Sequence, residues 1–375
     1  MKILHIYKDM YPPITGGIEK HIHLLCHLSQ ENGLDVEVLI ANRKNKTEIS
    51  FEDTIKITKV AQLGRFMSAP ITPSLHHYIR KIKADIYHFH HPNPTAEIAY
   101  LLAGSPGKLV ISYHSDIIRQ ALIMPLYKPF LHLFFNHASR ILPTSENYLA
   151  SSPILRHYKT KCTVVPLAIN SDQFKANNDT LNKAHELKTK YPGQLHVLFI
   201  GKLRYYKGLG VLINAAKLTK GIHFWIIGKA PKVKQEAEYL NLVKSLNLDS
   251  HVHFLGELSD HDLLPYLYAC DVFCLPSIER SEAYGLVQLE AHACGKPVIS
   301  TDLNTGVSFV NQHMKTGLIV KPKDPVDLAK AFEYCINHPQ EMLDMGKYAK
   351  VRVEKEFSTT LMFKKVKEVY DSVLE

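Results

Sequence analysis

The stretch Pro276–Thr301, PSIERSEAYGLVQLEAHACGKPVIST, places a glutamate on either side of a glycine. Glu282 stands in a polar loop, Gly285 follows three residues later, and an apolar run with helical spacing carries Glu290 before Gly295 and Pro297 end it. The pattern predicts a loop, a helix over about 285–294 and a strand at Pro297–Ser300. A helix starting near Gly285 has first backbone N–H groups with no internal partner, at the positive end of its macrodipole, and a phosphate fits there. Glycine at that point leaves the backbone open to an anion. Glu290 lies five residues on, about 7 Å along the axis at ~1.5 Å per residue, so the two carboxylates bracket the phosphate position. A carboxylate accepts two hydrogen bonds from a vicinal diol, which suits Glu290 to a ribose and Glu282 to hydroxyls of a sugar beyond the phosphates. The competing reading is two ordinary surface glutamates, and the surrounding sequence separates the two.

Upstream of this stretch, His196–Ile200, His223–Ile227, Val252–Phe254 and Val272–Leu275 read as strands, with helices at about 207–218, 232–246 and 260–269. The first half repeats the pattern, with strands at Lys2–Tyr7, Val36–Ala41, Asp85–Phe89, Leu109–Tyr113 and Arg140–Pro143. A length of 375 residues exceeds what a single growing core accommodates. The prediction is an α/β protein with two Rossmann-like, doubly wound parallel-sheet domains across a cleft, their ligands at the carboxyl ends of the strands. The boundary is expected near Ile169, giving domains of 1–169 plus about 357–375, and 170–356, with the last helix returning to the first domain.

A formal charge of +9 and a pI near 9.0 call for an acidic partner. No zinc-finger, helix-turn-helix or RNP pattern accompanies it, so diphosphate substrates and anionic lipid explain the sign better than nucleic acid, beside the bland alternative of a generally basic surface. The six cysteines are scattered and read as small buried hydrophobes. No apolar run reaches ~18 residues, and MKILHIY is too short and strand-like for a signal peptide, so the expected location is the cytoplasm, with peripheral contact at the inner face of the membrane. Residues 117–135 are rich in apolar and aromatic side chains. They read equally as an interfacial helix or as a core helix pair broken at Pro125 and Pro129.

The Pro276–Thr301 stretch resembles the Glu-x7-Glu motif of the retaining, nucleotide-sugar-dependent glycosyltransferases of family 4, which have the GT-B fold. Further motifs stand in family order: GGIEKH at 16–21, YHSDIIRQ at 113–120, SENYLASSP at 145–153, VVPLAINSDQF at 164–174 and GKLRYYKG at 201–208. The run from Arg280 to Gly317 looks most like bacterial O-antigen and exopolysaccharide mannosyl- or rhamnosyltransferases. The resemblance implies a hexosyltransferase, with a GDP-sugar donor such as GDP-mannose or else a UDP-sugar, a glycan or lipid-linked acceptor, and no metal or other cofactor. It puts His114 near the donor sugar, Gly16 and Gly17 at a donor-phosphate or acceptor contact, and a diphosphate on Lys207 and the helix start Ala283, Tyr284, Gly285, Leu286 and Val287. Glu282 orients the sugar and Glu290 holds the ribose, while backbone near Gly228 and Leu255 meets the base. The family usually has Arg directly after the strand's glycine. Lys202 stands there in this chain, so either it acts as a point charge or Arg204 supplies the forked contact. His90, His91, Asp116 and Arg119 fall on the acceptor side.

Two motifs invite other readings. Asp260, His261 and Asp262 form a DxD, yet Ser259 or Asp260 is better placed to cap the following helix than to bind a metal. His88, His90 and His91 lie at a strand end and lack an identifiable fourth zinc ligand. Paired carboxylates also serve glycosidases, though a glycosidase has no phosphate for a cationic loop to neutralise. A two-lobed sugar-binding protein without catalysis is the alternative from a different class.

Overall fold

The computed structural model describes residues 1–14, 16–66, 69–117, 124–191 and 195–375. The chain forms two compact units, Met1–Leu167 with Thr360–Glu375, and Ala168–Thr359.

Among the described residues, the first unit has a seven-stranded sheet in the order Glu48–Glu52, Ile55–Ala61, Asp35–Asn42, Lys2–Ile6, Ile86–His91, Lys108–Tyr113, Ala138–Pro143. All neighbours are parallel except the edge strand Glu48–Glu52, which pairs antiparallel with Ile55–Ala61. The sequence reading missed both of these outer strands, because their alternation is short and charged. The helix Thr359–Leu374 packs on this sheet: the buried Tyr370 hydroxyl lies 2.6 Å from His88 Nδ1.

The second unit has six parallel strands ordered Val252–Gly256, Ile222–Ile227, Leu195–Ile200, Val272–Leu275, Val298–Thr301, Gly317–Val320. Alternate residues of Leu195–Ile200 enter two separate cores: Val197 and Phe199 pack with Leu212, Phe224 and Phe332, whereas Leu198 packs with Trp225, Leu267 and Phe273. Burial on both faces is why these strands read as unbroken apolar runs. Strand order runs outward in opposite directions from the adjacent pair Leu195–Ile200 and Val272–Leu275. Ligands of open α/β sheets bind at the carboxyl ends of such a pair.

Two loops leave that point, 201–208 and 276–286, and glycine lets them touch. Gly208 has φ +73°, and a Cβ there would fall on the Pro276 carbonyl oxygen. Gly228, at the end of the next strand, has φ +134° and would likewise collide with Gly201 O. The Tyr206 carbonyl accepts a hydrogen bond from Ile278 N–H at 2.8 Å, which completes the junction. Gly208→Ala combines left-handed strain with overpacking, so it should lower stability by about 2–4 kcal/mol. A urea midpoint equal to that of the parent protein would show that the loops part freely.

Candidate active site

At the switch point of the second unit, the loop 201–208 carries Lys207 and the loop 276–286 carries Glu282. Lys207 Nζ lies 2.5 Å from Glu282 Oε2, with the two side chains only 13% and 9% exposed. At that burial, water screens the pair weakly. Burial alone would push the ammonium pKa down, but the Glu282 carboxylate outweighs it and holds Lys207 above its ordinary value. Glu282 is fixed from behind: Ser277 Oγ donates to its carboxylate at 3.1 Å, and Thr305 Oγ1 donates to its carbonyl at 2.9 Å. Thr301 Oγ1 in turn donates to Ser277 O at 2.5 Å. These three hydroxyls escape a sequence reading because nothing about an isolated Ser or Thr marks it as part of the support of Glu282.

The helix after Gly285 starts later than its spacing suggests, at Val287, and runs to Ala293. Its ladder opens with Gln288 and Leu289 N–H donating to Gly285 O and Leu286 O at 2.9 Å each, so the amides just before them lie outside it. Gly285 meets a packing and backbone requirement of its own beside the anion clearance expected of it. Its φ is +71°, and a Cβ would press on Leu275 Cδ2 and Gln288 Nε2 at 2.7 and 2.8 Å, so packing and backbone conformation require it. Ala283 O accepts from Gly306 N–H, Tyr284 is buried, and Leu286 caps the helix with ordinary right-handed geometry. Glu290 sits half-buried one turn on. Lys202 and Arg204 are exposed on the cationic loop, and Leu203 between them is buried. Leu255 is half-buried on its strand, packed against the Trp225 core. The DxD is a helix start: Ser259 Oγ accepts from Asp262 N–H at 3.2 Å and donates to the Asp262 carboxylate at 2.6 Å. Asp262 is thereby engaged as a cap, and Asp260 is the helix's first residue.

In the first unit, one face of the sheet carries a stripe of histidines across the switch point between Lys2–Ile6 and Ile86–His91. His5 Nδ1 lies 3.1 Å from His90 Nε2, and His90 Nδ1 lies 3.1 Å from His114 Nε2. His88 Nε2 meets Ser112 Oγ at 2.8 Å, and the His21 ring from helix Gly17–Glu31 stands edge-on to His114 at 5.5 Å. His5 and His21 belong to this set although the spacing of the sequence does not single them out; the parallel register brings His5 beside His88. Among the described residues, His114 Nδ1, His5 Nε2 and His21 Nδ1 are buried without a hydrogen-bond partner.

The acceptor-side residues need correction. His90 is fully buried inside the stripe, so it presents no surface. His91 points to the opposite face, where its Nδ1 meets Glu97 Oε1 at 2.9 Å and its ring stacks on Tyr113. Burial pushes the Glu97 carboxyl up, but His91, the Tyr127 hydroxyl and the Asn93 amide outweigh it and leave it below the usual carboxylate value. The Asp116 carboxylate accepts from Tyr113 OH at 2.7 Å and Ser152 Oγ at 2.6 Å, and its amide donates to Tyr148 OH at 2.8 Å, so it ties loops together. Arg119 lies outside the described residues. Gly16 caps helix Gly17–Glu31 in extended conformation, and a Cβ on it would fall on the Glu19 carboxylate.

Burial pulls the His5 pKa down to about 3 and that of His21 to about 4; His88, His90 and His114 are lowered well below 6.5 by burial and then by neighbouring rings. A folded pKa below the unfolded ~6.5 means that unfolding takes up protons in acid. The stability these rings permit is therefore complete above pH ~6.5 and falls as pH drops toward 4, by roughly 2–3 kcal/mol for each of His5 and His21 at pH 4.5. Urea unfolding between pH 7.5 and 4.5 should show that decline, and His21→Gln should flatten it. An unchanged slope in the variant would show that His21 titrates normally.

The chain matches the family described as glycosyl transferases group 1 over residues 182–352, and glycosyltransferase family 4 over residues 15–173. A D-rhamnosyltransferase of Pseudomonas aeruginosa is 32% identical over 361 residues, covering 96% of this chain and 92% of that one. The O-antigen chain mannosyltransferase C of Escherichia coli is 32% identical over 381 residues, covering 100% and 99%. Among solved structures, sucrose-phosphate synthase of Thermosynechococcus elongatus matches with a TM-score of 0.82 at 20% identity, covering 99% of this chain and 98% of that one. HepE of Anabaena, crystallised with UDP, matches with a TM-score of 0.80 at 19% identity, covering 99% and 100%. The solved structures give the fold, GT-B, and the full-length relatives give the family: this chain belongs to the family 4 glycosyltransferases.

Proposed function

We propose that the enzyme is a retaining hexosyltransferase that moves mannose from GDP-mannose, without a metal, to a hydroxyl of a growing lipid-linked glycan in cell-surface polysaccharide synthesis. The observation that carries this reading is the buried Lys207–Glu282 pair at the switch point of the second unit, to which we assign donor binding. Two relatives matched over nearly the whole chain support this choice of sugar, since their names give rhamnosyl and mannosyl transfer and, for one, the O-antigen chain. UDP-sugars are the competing donors, since HepE was crystallised with UDP and with UDP-glucose.

In this reading the diphosphate lies against Lys207 and the amides of Gly285 to Val287. Negative charge grows on the leaving diphosphate as the glycosidic bond breaks, and a cation already held in place there stabilises the transition state without reorganising. Glu282 holds that cation and offers its remaining lone pairs to the hexose, while Glu290 binds the ribose. The acceptor hydroxyl attacks the face that the diphosphate leaves, and a leaving phosphate oxygen takes its proton. The first unit, to which we assign acceptor binding, contributes His114, an uncharged imidazole whose Nδ1 has no partner among the described residues and suits a sugar hydroxyl.

A membrane-bound acceptor also accounts for the helix Met124–His137. Tyr127, Leu131, Phe134 and Phe135 are buried on one side, whereas Leu126, Phe130 and Leu133 are exposed on the other, beside Lys128. An outward apolar face with a basic residue suits shallow insertion among headgroups. No helix among the described residues is long and apolar enough to cross a membrane.

Release of free nucleotide from GDP-mannose and from UDP-sugars tests the donor. Lys207→Ala should lower turnover by roughly 10² or more, the scale for one lost transition-state donor, and turnover should survive EDTA. Near-normal activity of the variant, or loss in EDTA restored by Mn²⁺, would overturn the reading. The two glutamates separate in calorimetric titration with bare GDP. Glu290→Gln should weaken GDP and intact donor together, because a ribose contact persists in ground and transition states. Glu282→Gln leaves Lys207 without its counter-ion, so GDP affinity should hold or rise while catalytic efficiency falls by ~1.5–3 kcal/mol. The opposite pattern would reverse the direction in which the donor lies along this helix.

A further inference from the structure

On the first unit, away from the histidine stripe, His23 and His27 sit one turn apart on helix Gly17–Glu31, and Glu52 ends the edge strand Glu48–Glu52. His23 Nε2 lies 2.7 Å from Glu52 Oε1 and 3.1 Å from His27 Nε2, and His27 Nε2 lies 3.8 Å from the same carboxylate oxygen. All three side chains are between about a fifth and a third exposed, so solvent and ions can reach them. Behind His27, Asp53 Oδ2 stands 3.9 Å from Nδ1, the nitrogen that points away from the cluster. The Tyr11 ring meets His23 edge-on at 5.2 Å and limits its rotation.

Hydrogen bonding does not satisfy this triangle. If His27 Nε2 carries a proton and donates to His23 Nε2, the His23 atom faces the carboxylate at 2.7 Å with a lone pair and nothing to donate. If His23 Nε2 carries the proton, one hydrogen must serve both the carboxylate and the His27 lone pair. No placement of one proton on each neutral ring makes both short contacts two-centre hydrogen bonds, whereas a cation at that point engages all three atoms. The edges of the triangle, 2.7, 3.1 and 3.8 Å, bracket the roughly 3.3 Å separation of ligand atoms about 2.0–2.1 Å from a tetrahedral zinc ion. Two imidazoles with one carboxylate select a borderline divalent transition ion over magnesium or calcium, and a carboxylate facing the far nitrogen of a ligating histidine is the usual outer support.

We propose that His23, His27 and Glu52 bind a zinc-class divalent ion, with Asp53 orienting His27 and water in the fourth position. The ion ties the helix to the hairpin whose edge strand turns Ile49 and Phe51 outward, and so secures an exposed edge that is otherwise held by a single partner strand. It lies outside the donor chemistry assigned above and does not depend on it.

The test is titration of the metal-stripped full-length chain with ZnCl₂ by calorimetry, and with CoCl₂ by visible absorption. One equivalent should bind, with the intense band of tetrahedral cobalt. His27→Ala and Glu52→Gln should each weaken binding by about 10²-fold or more, and Asp53→Asn by about 10-fold. Glu52→Gln changes a partly exposed side chain at a strand end, so it reports binding even if His27→Ala perturbs the helix. Equal zinc affinity in the parent and both ligand variants would place the ion on other histidines and sink the proposal, as would the lack of saturable binding.

Discussion

The second unit is organised by one buried ion pair. A lysine and a glutamate that share so little exposure are costly to bring together unless each has further support, because desolvation offsets most of their attraction. Here the support is visible: Ser277 and Thr305 hold Glu282, Thr301 holds the Ser277 carbonyl, and Gly208 lets the lysine's loop come within contact of the acid's loop. The pair keeps a positive charge in place in a poorly solvated spot, where its field is strong. That requirement accounts for the left-handed Gly208 and the hydroxyl chain behind Glu282.

The first unit solves a related problem without charge. Its switch point is lined by imidazoles whose burial keeps them neutral, bonded ring to ring across three strands and closed over by His21 and Tyr370. Neutral rings can donate or accept according to tautomer, which suits hydroxyl groups, whereas the fixed cation of the second unit suits phosphate. The two units share the order of six parallel strands, to which the first adds an antiparallel edge, and they differ in the chemistry at the switch point.

Most of the parallel strands were legible because burial on both faces writes them as apolar runs, and the Glu282, Gly285, Glu290 spacing was legible because a helix start leaves a sequence pattern. Glu48–Glu52, Ile55–Ala61 and Gly317–Val320 were not: the first two mix charged and apolar side chains, and the last is only four residues long. Residue type also hid function from position. His91 and Asp116 looked like cleft residues beside a strand end, but a strand's alternation sent His91 to the opposite face, and the hydroxyls of Tyr113 and Ser152 claimed Asp116. Gly285 also answers a local need that the spacing does not write: its backbone angle and the Leu275 side chain exclude a Cβ. Contacts between residues distant in sequence, such as His5 with His90 or Thr305 with Glu282, leave no local trace.

The contact between Gly208 and Pro276 has a further meaning for how such enzymes diverge. With the backbones this close and the Tyr206 carbonyl bonded to Ile278, the cationic loop and the acidic loop cannot be altered in shape one at a time. They form a single heritable and transplantable block. A chimera that takes 201–208 from one relative and 276–286 from another inherits two backbones shaped for different partners, whereas exchange of both together carries the junction intact.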